Sequence, residues 1–119
     1  MHAYEYAVIR VMPDVERGEC LNAGVIVYSR SADFLAAEVA LDETRLAALA
    51  PGLDAATVRR SLAAMADCTP IPGESIGQRF RWLTAPRSTV VQPAAVHTGI
   101  TNDPAAALRH LMTRLVLPR

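Results

Sequence analysis

The six residues AGVIVY, Ala23 to Tyr28, form an unbroken apolar run that is rich in β-branched side chains. The run is too short for a helix and has no polar alternation. It therefore reads as a strand covered on both faces, which requires a layered fold with a sheet at its centre. The residues before it agree. From Ala3 to Met12, Tyr4, Tyr6 and Val8 point one way and Ala7, Ile9 and Val11 the other, which predicts a first strand ended by Pro13. DVERGECLN is a polar connection. After the SRSAD turn, Phe34 to Leu41 reads as a third strand in an antiparallel hairpin with the second.

Helical spacing takes over next. Asp42 is placed to cap a short helix carrying Leu46 and Leu49, stopped at Pro51-Gly52. Asp54 caps a second, with Val58, Leu62, Met65 and Ala66 on one face and Arg59, Arg60 and Asp67 facing away. Thr69 to Gly77 reads as loop. Arg79 to Thr84 and Thr89 to Gln92 read as two short strands joined at Ala85-Pro86-Arg87. Asn102-Asp103-Pro104 starts a last helix with Leu108, Leu111, Met112 and Leu115 buried. The order predicts an α+β fold: an antiparallel sheet of about five strands with three helices packed mainly on one face, in a single domain over residues 1–119.

Composition narrows the function. Acidic and basic residues balance at 12 each, so any anion site is a local patch, and nucleic acid is not an expected partner. All basic residues are arginine, which a GC-rich genome explains more simply than function does, so that their clustering carries meaning and their identity does not. Cys20 and Cys68 lack metal-ligand spacing, and no metal or cofactor is implied. Without a signal peptide or a span-length apolar run, the expected location is cytoplasmic, with no membrane contact.

The segment RFRWLTAPRSTVVQP, Arg79 to Pro93, concentrates three arginines, the only tryptophan and a Ser-Thr pair. On a strand, Arg79 and Arg81 share one face, with Phe80 and Trp82 on the other. Arg87, Ser88 and Thr89 follow the corner, and His97 closes the same surface if the chain folds back. Arg79, Arg81, Arg87, Ser88, Thr89 and His97 are thus candidate contacts to a phosphate or carboxylate. An architectural corner and a protein contact are the competing readings. Glu16 and Glu19, in a loop with Asp14 and Arg17, read as a self-paired acidic cluster or as partners of Arg79 or Arg81. The catalytic alternative is a small hydrolase or phosphate-processing enzyme using loop residue His97 with Glu16 or Glu19. In that reading Cys20, Ser88 or Thr89 is the nucleophile, and Asp103 or Glu19 is the orienting acid. No local signature supports it.

Three blocks together, YEYAVIRVMPDVERGECLNAGVIVY, RFRWLTAPRSTVVQP with the following VHTG, and DPAAALRHLMTRLV, closely resemble the bacterial family known as domain of unknown function 3037. The resemblance covers essentially the whole chain. It implies a small stand-alone bacterial protein and supplies no mechanism. Genes of the family occur beside HipA-like kinase-fold proteins, which implies a structural partner of that kind as a further alternative. Oligomeric state stays open, with a homodimer among the options. Cys20 and Leu21 stand where the resemblance leads one to expect bulkier or aromatic residues, a difference of packing.

Overall fold

The computed structural model describes all 119 residues. Its elements are β1 (His2–Val11), β2 (Leu21–Ser29), β3 (Phe34–Val39), α1 (Glu43–Leu49), α2 (Ala55–Met65), α3 (Ile76–Leu83), β4 (Val91–Pro93), β5 (His97–Thr101) and α4 (Pro104–Leu115). The five strands make one antiparallel sheet in the order β3-β2-β1, with β4 and β5 placed end to end along the far edge of β1. The α+β class with a five-stranded antiparallel sheet is as the sequence predicts, and there are four helices rather than three.

The AGVIVY run lies in β2 between β1 and β3 and is buried throughout. Ile9 pairs with Gly24 and Arg10 with Asn22, so Ala23 is an extra residue, a β-bulge. The bulge turns Leu21 and Ala23 to the same side as Ile26 and Tyr28. These four pack with Ile9 and Val11 under Leu46, Val58, Leu62, Met65, Phe80 and Leu83, so α1, α2 and α3 share one face. On the opposite face Val25 and Val27 meet Leu108, Leu111, Met112 and Val116, and α4 covers them alone. Each such buried side chain contributes about 1.5–3 kcal/mol relative to exposure.

Helix starts follow the sequence closely. The side chains of Asp42, Asp54 and Asp103 accept from Arg45 N, Ala56 N, and Ala105 and Ala106 N respectively. The Thr57 hydroxyl and the Ala56 amide hold the Asp54 carboxyl below the usual carboxylate range. At its other end α4 is tied to the sheet by Asn22, whose Nδ2 donates to Leu115 O at 3.1 Å. Arg109 on α4 grips both oxygens of Glu38 on β3 at 2.8 Å.

Two expectations need correction. Arg79 to Thr84 is not a strand; it falls in helix α3 and its C-cap. The deciding feature is a capping box: Ser75 Oγ accepts from Gln78 N at 3.1 Å, and Gln78 Oε1 accepts from Ser75 N at 2.8 Å. Ile76, Phe80 and Leu83 recur at helical spacing and face the core, a pattern that the arginine–aromatic alternation masks over so short a run. The fifth strand is instead β5, so His97 stands on a strand and not in a loop. HTGIT has weak strand character of its own. It pairs because Gly99 lets the Tyr4 ring lie over its backbone; a Cβ there would meet Tyr4 Cζ at 2.5 Å. The strand expected over Thr89–Gln92 is present as β4, two residues later at its start.

The helix and strand readings of α3 make different stability predictions. On the helix Phe80 is fully buried, whereas Trp82 is 56 % exposed. Phe80→Ala is expected to lose about 3–5 kcal/mol. Trp82→Ala is expected to lose about 1 kcal/mol, chiefly its contacts to arginine. Urea denaturation checks both.

Candidate functional site

Because α3 is helical, Arg79 and Arg81 do not share a face. Arg79 turns back toward the end of α2, where its Nε and Nη2 donate to Asp67 O at 3.3 and 2.8 Å. Arg81 crosses to the sheet and donates to Glu5 on β1 at 2.8 Å. That hydrogen bond is the main reason its guanidinium is held protonated above its ordinary range. Arg87 curls over the C-terminal end of α3. Its Nη2 donates to Trp82 O at 2.7 Å and its Nε to Ala85 O at 3.3 Å, with Nη1 against Met65 Sδ at 3.4 Å. Helix C-termini leave carbonyls without intrahelical donors, and Arg87 supplies them. Trp82 links two of these arginines: the guanidinium carbons of Arg79 and Arg87 lie 4.9 and 5.2 Å from its ring centre.

Of the remaining predicted residues, Thr89 lines a cavity of about 260 Å³ with Arg87 and Trp82, while Ser88 and His97 lie outside it. Thr89 donates its hydroxyl to Val91 O at 2.7 Å, and Ser88 is exposed. His97 sits opposite Tyr6 with ring centroids 5.5 Å apart, on the sheet face that α4 also uses. Arg79, Arg81 and Arg87 belong to the other face. The six predicted contacts therefore form no common surface. Glu16 and Glu19 lie beyond the end of β1 at Val11, five residues past Tyr6, or roughly 17 Å along the strand. Arg17 donates to Glu19 at 2.6 Å, and this bond holds the Glu19 carboxyl below its usual range. The loop is self-paired, and neither glutamate joins His97, Arg79 or Arg81. Cys20 is exposed in the same connection, and Asp103 serves as the α4 cap. No three of the His, Cys, Asp and Glu side chains gather as a metal-binding group.

What the fold does bring together is a groove on the three-helix face, at the end of the sheet where β2 meets its turn. One cavity of about 470 Å³ is lined by Ala3, Glu5, Tyr28, Arg30, Ser31 and Thr98 among others. A second, of about 540 Å³, includes Arg30, Asp33, Ser75, Gly77 and Arg81. Tyr28 and Arg30 belong to both. Arg30 is exposed and, unlike Arg81, makes no ion pair. Sequence reasoning identified Arg81 and missed Tyr28, Arg30, Ser31 and Ser75. The available signals are the SRSAD segment, which reads as a turn, and the Ser75-x-x-Gln78 spacing, which lies at the end of the segment that reads as loop.

The architecture is thus an antiparallel α+β domain with its open groove between the sheet end and a short capped helix. The chain belongs to the family described as Protein of unknown function (DUF3037), whose model matches residues 6–116. No curated protein and no solved structure matches it. No helix is long and apolar enough to cross a membrane.

Two outcomes test this assignment of roles. Arg87→Ala is expected to lower stability by about 2 kcal/mol, since charge-assisted hydrogen bonds to the α3 carbonyls disappear. Arg87→Lys should recover little of it, because an ammonium cannot span carbonyls as a planar fork does. Burial pushes the half-buried Cys68 thiol up to about 11. Its folded value lies above the unfolded one, so the associated stability is full below the ordinary thiol pKa and is lost as pH rises toward 11. At pH near 8, alkylation followed by peptide mass analysis should mark exposed Cys20 far faster than Cys68.

Proposed function

We propose that this domain is a binding module that recognises an anionic ligand, one bearing a phosphate or carboxylate, in the groove at the end of β2. The observation that carries the reading is Arg30. It is a guanidinium with no acidic partner, shared by two adjoining cavities, with a second guanidinium, Arg81, lining one of them. Guanidinium groups present fixed, paired donors that match carboxylate and phosphate oxygens. Walls made by Tyr28, Ser31, Ser75 and Thr98 add an aromatic edge and three hydroxyls, a mix suited to a small polar ligand.

The division among arginines supports a site here and not along Arg79 to Thr89. Arg79 and Arg87 spend their donors on backbone carbonyls of the fold. Arg81 keeps most of its N–H groups after its bond to Glu5, which orients it over the groove. Glu5 thereby sets the direction of the arginine, and it also lines the first cavity.

A thermal-shift panel of phosphorylated metabolites and small carboxylic acids tests the reading. A ligand at a hundred times its Kd stabilises the fold by about 2.7 kcal/mol. Arg30→Ala is expected to abolish that shift while leaving the unliganded melting temperature nearly unchanged, because its exposed side chain makes no ion pair within the fold. Arg87→Ala should show the opposite pattern, a lower melting temperature with the shift retained. A shift that survives Arg30→Ala and Arg81→Ala, or no shift with any anion, overturns the proposal.

A further inference from the structure

The geometry points to the cavity at the start of α3 as a phosphoryl site, and to a small phosphate monoester as the ligand; this inference rests on the anion reading of the groove. Tyr28 is its centre. The residue is only 8 % exposed, yet its hydroxyl makes no hydrogen bond within the chain, although it lines both cavities. The ring is what is buried; the hydroxyl oxygen opens onto the cavity, since the one buried side-chain nitrogen or oxygen without a partner is Arg10 Nε. The Tyr28 ring is fixed by stacking on Phe80 at 5.1 Å, so the hydroxyl is held in one place.

That place is the first turn of α3. A Cβ built on Gly77 would stand 2.8 Å from Tyr28 Oη. Glycine at this position is what leaves the hydroxyl and the helix amides open to the same space. Ile76 and Gly77 occupy the first two helical positions, whose N–H groups have no intrahelical acceptor. The capping box does not use them, since Ser75 Oγ takes the Gln78 amide instead. Two amides, a phenolic hydroxyl and the guanidiniums of Arg30 and Arg81 therefore surround one cavity, from helix, sheet and turn. This exceeds what the two coplanar oxygens of a carboxylate accept, and suits the three terminal oxygens of a phosphoryl group at a helix N-terminus.

Asp33, in the β2–β3 turn, lines the same cavity and forms no ion pair. Its carboxylate disfavours a bare phosphate dianion close by and accepts from a hydroxyl or ammonium group. The ligand class is therefore a phosphate monoester whose body carries such a donor.

The test is a two-dimensional amide NMR titration with O-phosphoserine, with serine and acetate as controls. The amide signals of Ile76 and Gly77 are expected to move saturably with O-phosphoserine. Tyr28→Phe, which keeps the ring and its stacking, should weaken binding about tenfold through loss of one hydrogen bond to a charged group. Arg30→Ala should abolish binding. If O-phosphoserine binds in an Arg30-dependent way while the Gly77 signal stays still or Tyr28→Phe has no effect, the phosphoryl site is wrong and the groove reading stands. Acetate binding as tightly as O-phosphoserine has the same consequence. If neither probe binds, both readings fail.

Discussion

Phe80 stacked on Tyr28, at 5.1 Å between ring centres and 28° between planes, is the contact that locates everything on the open side of the molecule. Helix α3 has only eight residues. A helix so short does not persist in water without tertiary packing. Its capping box fixes where it starts, and Phe80, fully buried, fixes where it lies. From that single docking follow the approach of Gly77 to the Tyr28 hydroxyl, the reach of Arg81 to Glu5, and the outward turn of Trp82.

The arginines around this helix show how one side-chain type serves opposite ends. Arg79 and Arg87 close backbone carbonyls at the end of α2 and the end of α3, and both lie near the Trp82 ring. They consolidate a corner where two helices and a loop meet. Arg81 is held by a carboxylate across the sheet, and Arg30 has no ion pair. A count of arginines along the sequence cannot separate these roles; only the acceptors that each finds after folding can.

Much of the architecture was legible because it rests on local rules. The capping aspartates at 42, 54 and 103, the hairpin of β2 and β3, and the two faces of β1 are all readable from neighbouring residues. Two elements were not. Over Arg79 to Leu83, an alternation of charge and aromatic competes with helical spacing, and the capping box that decides the contest begins four residues earlier. Strand β5 has almost no pattern of its own; it exists because β1 has a free edge and Tyr4 needs a residue without a side chain beneath it. The candidate site was half legible for the same reason. Arg81 was found by type, while Arg30 and Tyr28 gain meaning only from the placement of α3 against β2.

The split edge of β1 also governs the order in which the molecule can assemble. β1, β2 and β3 are consecutive in the chain and can pair as soon as they have been made. The N-terminal half of β1, however, finds its second neighbour in His97–Thr101, and the cover for Val25 and Val27 comes from α4, the last helix of all. Until residues 97–116 have been made, the meander therefore has one unpaired border and one apolar face without its cover. One late segment thus supplies both what the edge of β1 lacks and what the face of β2 lacks.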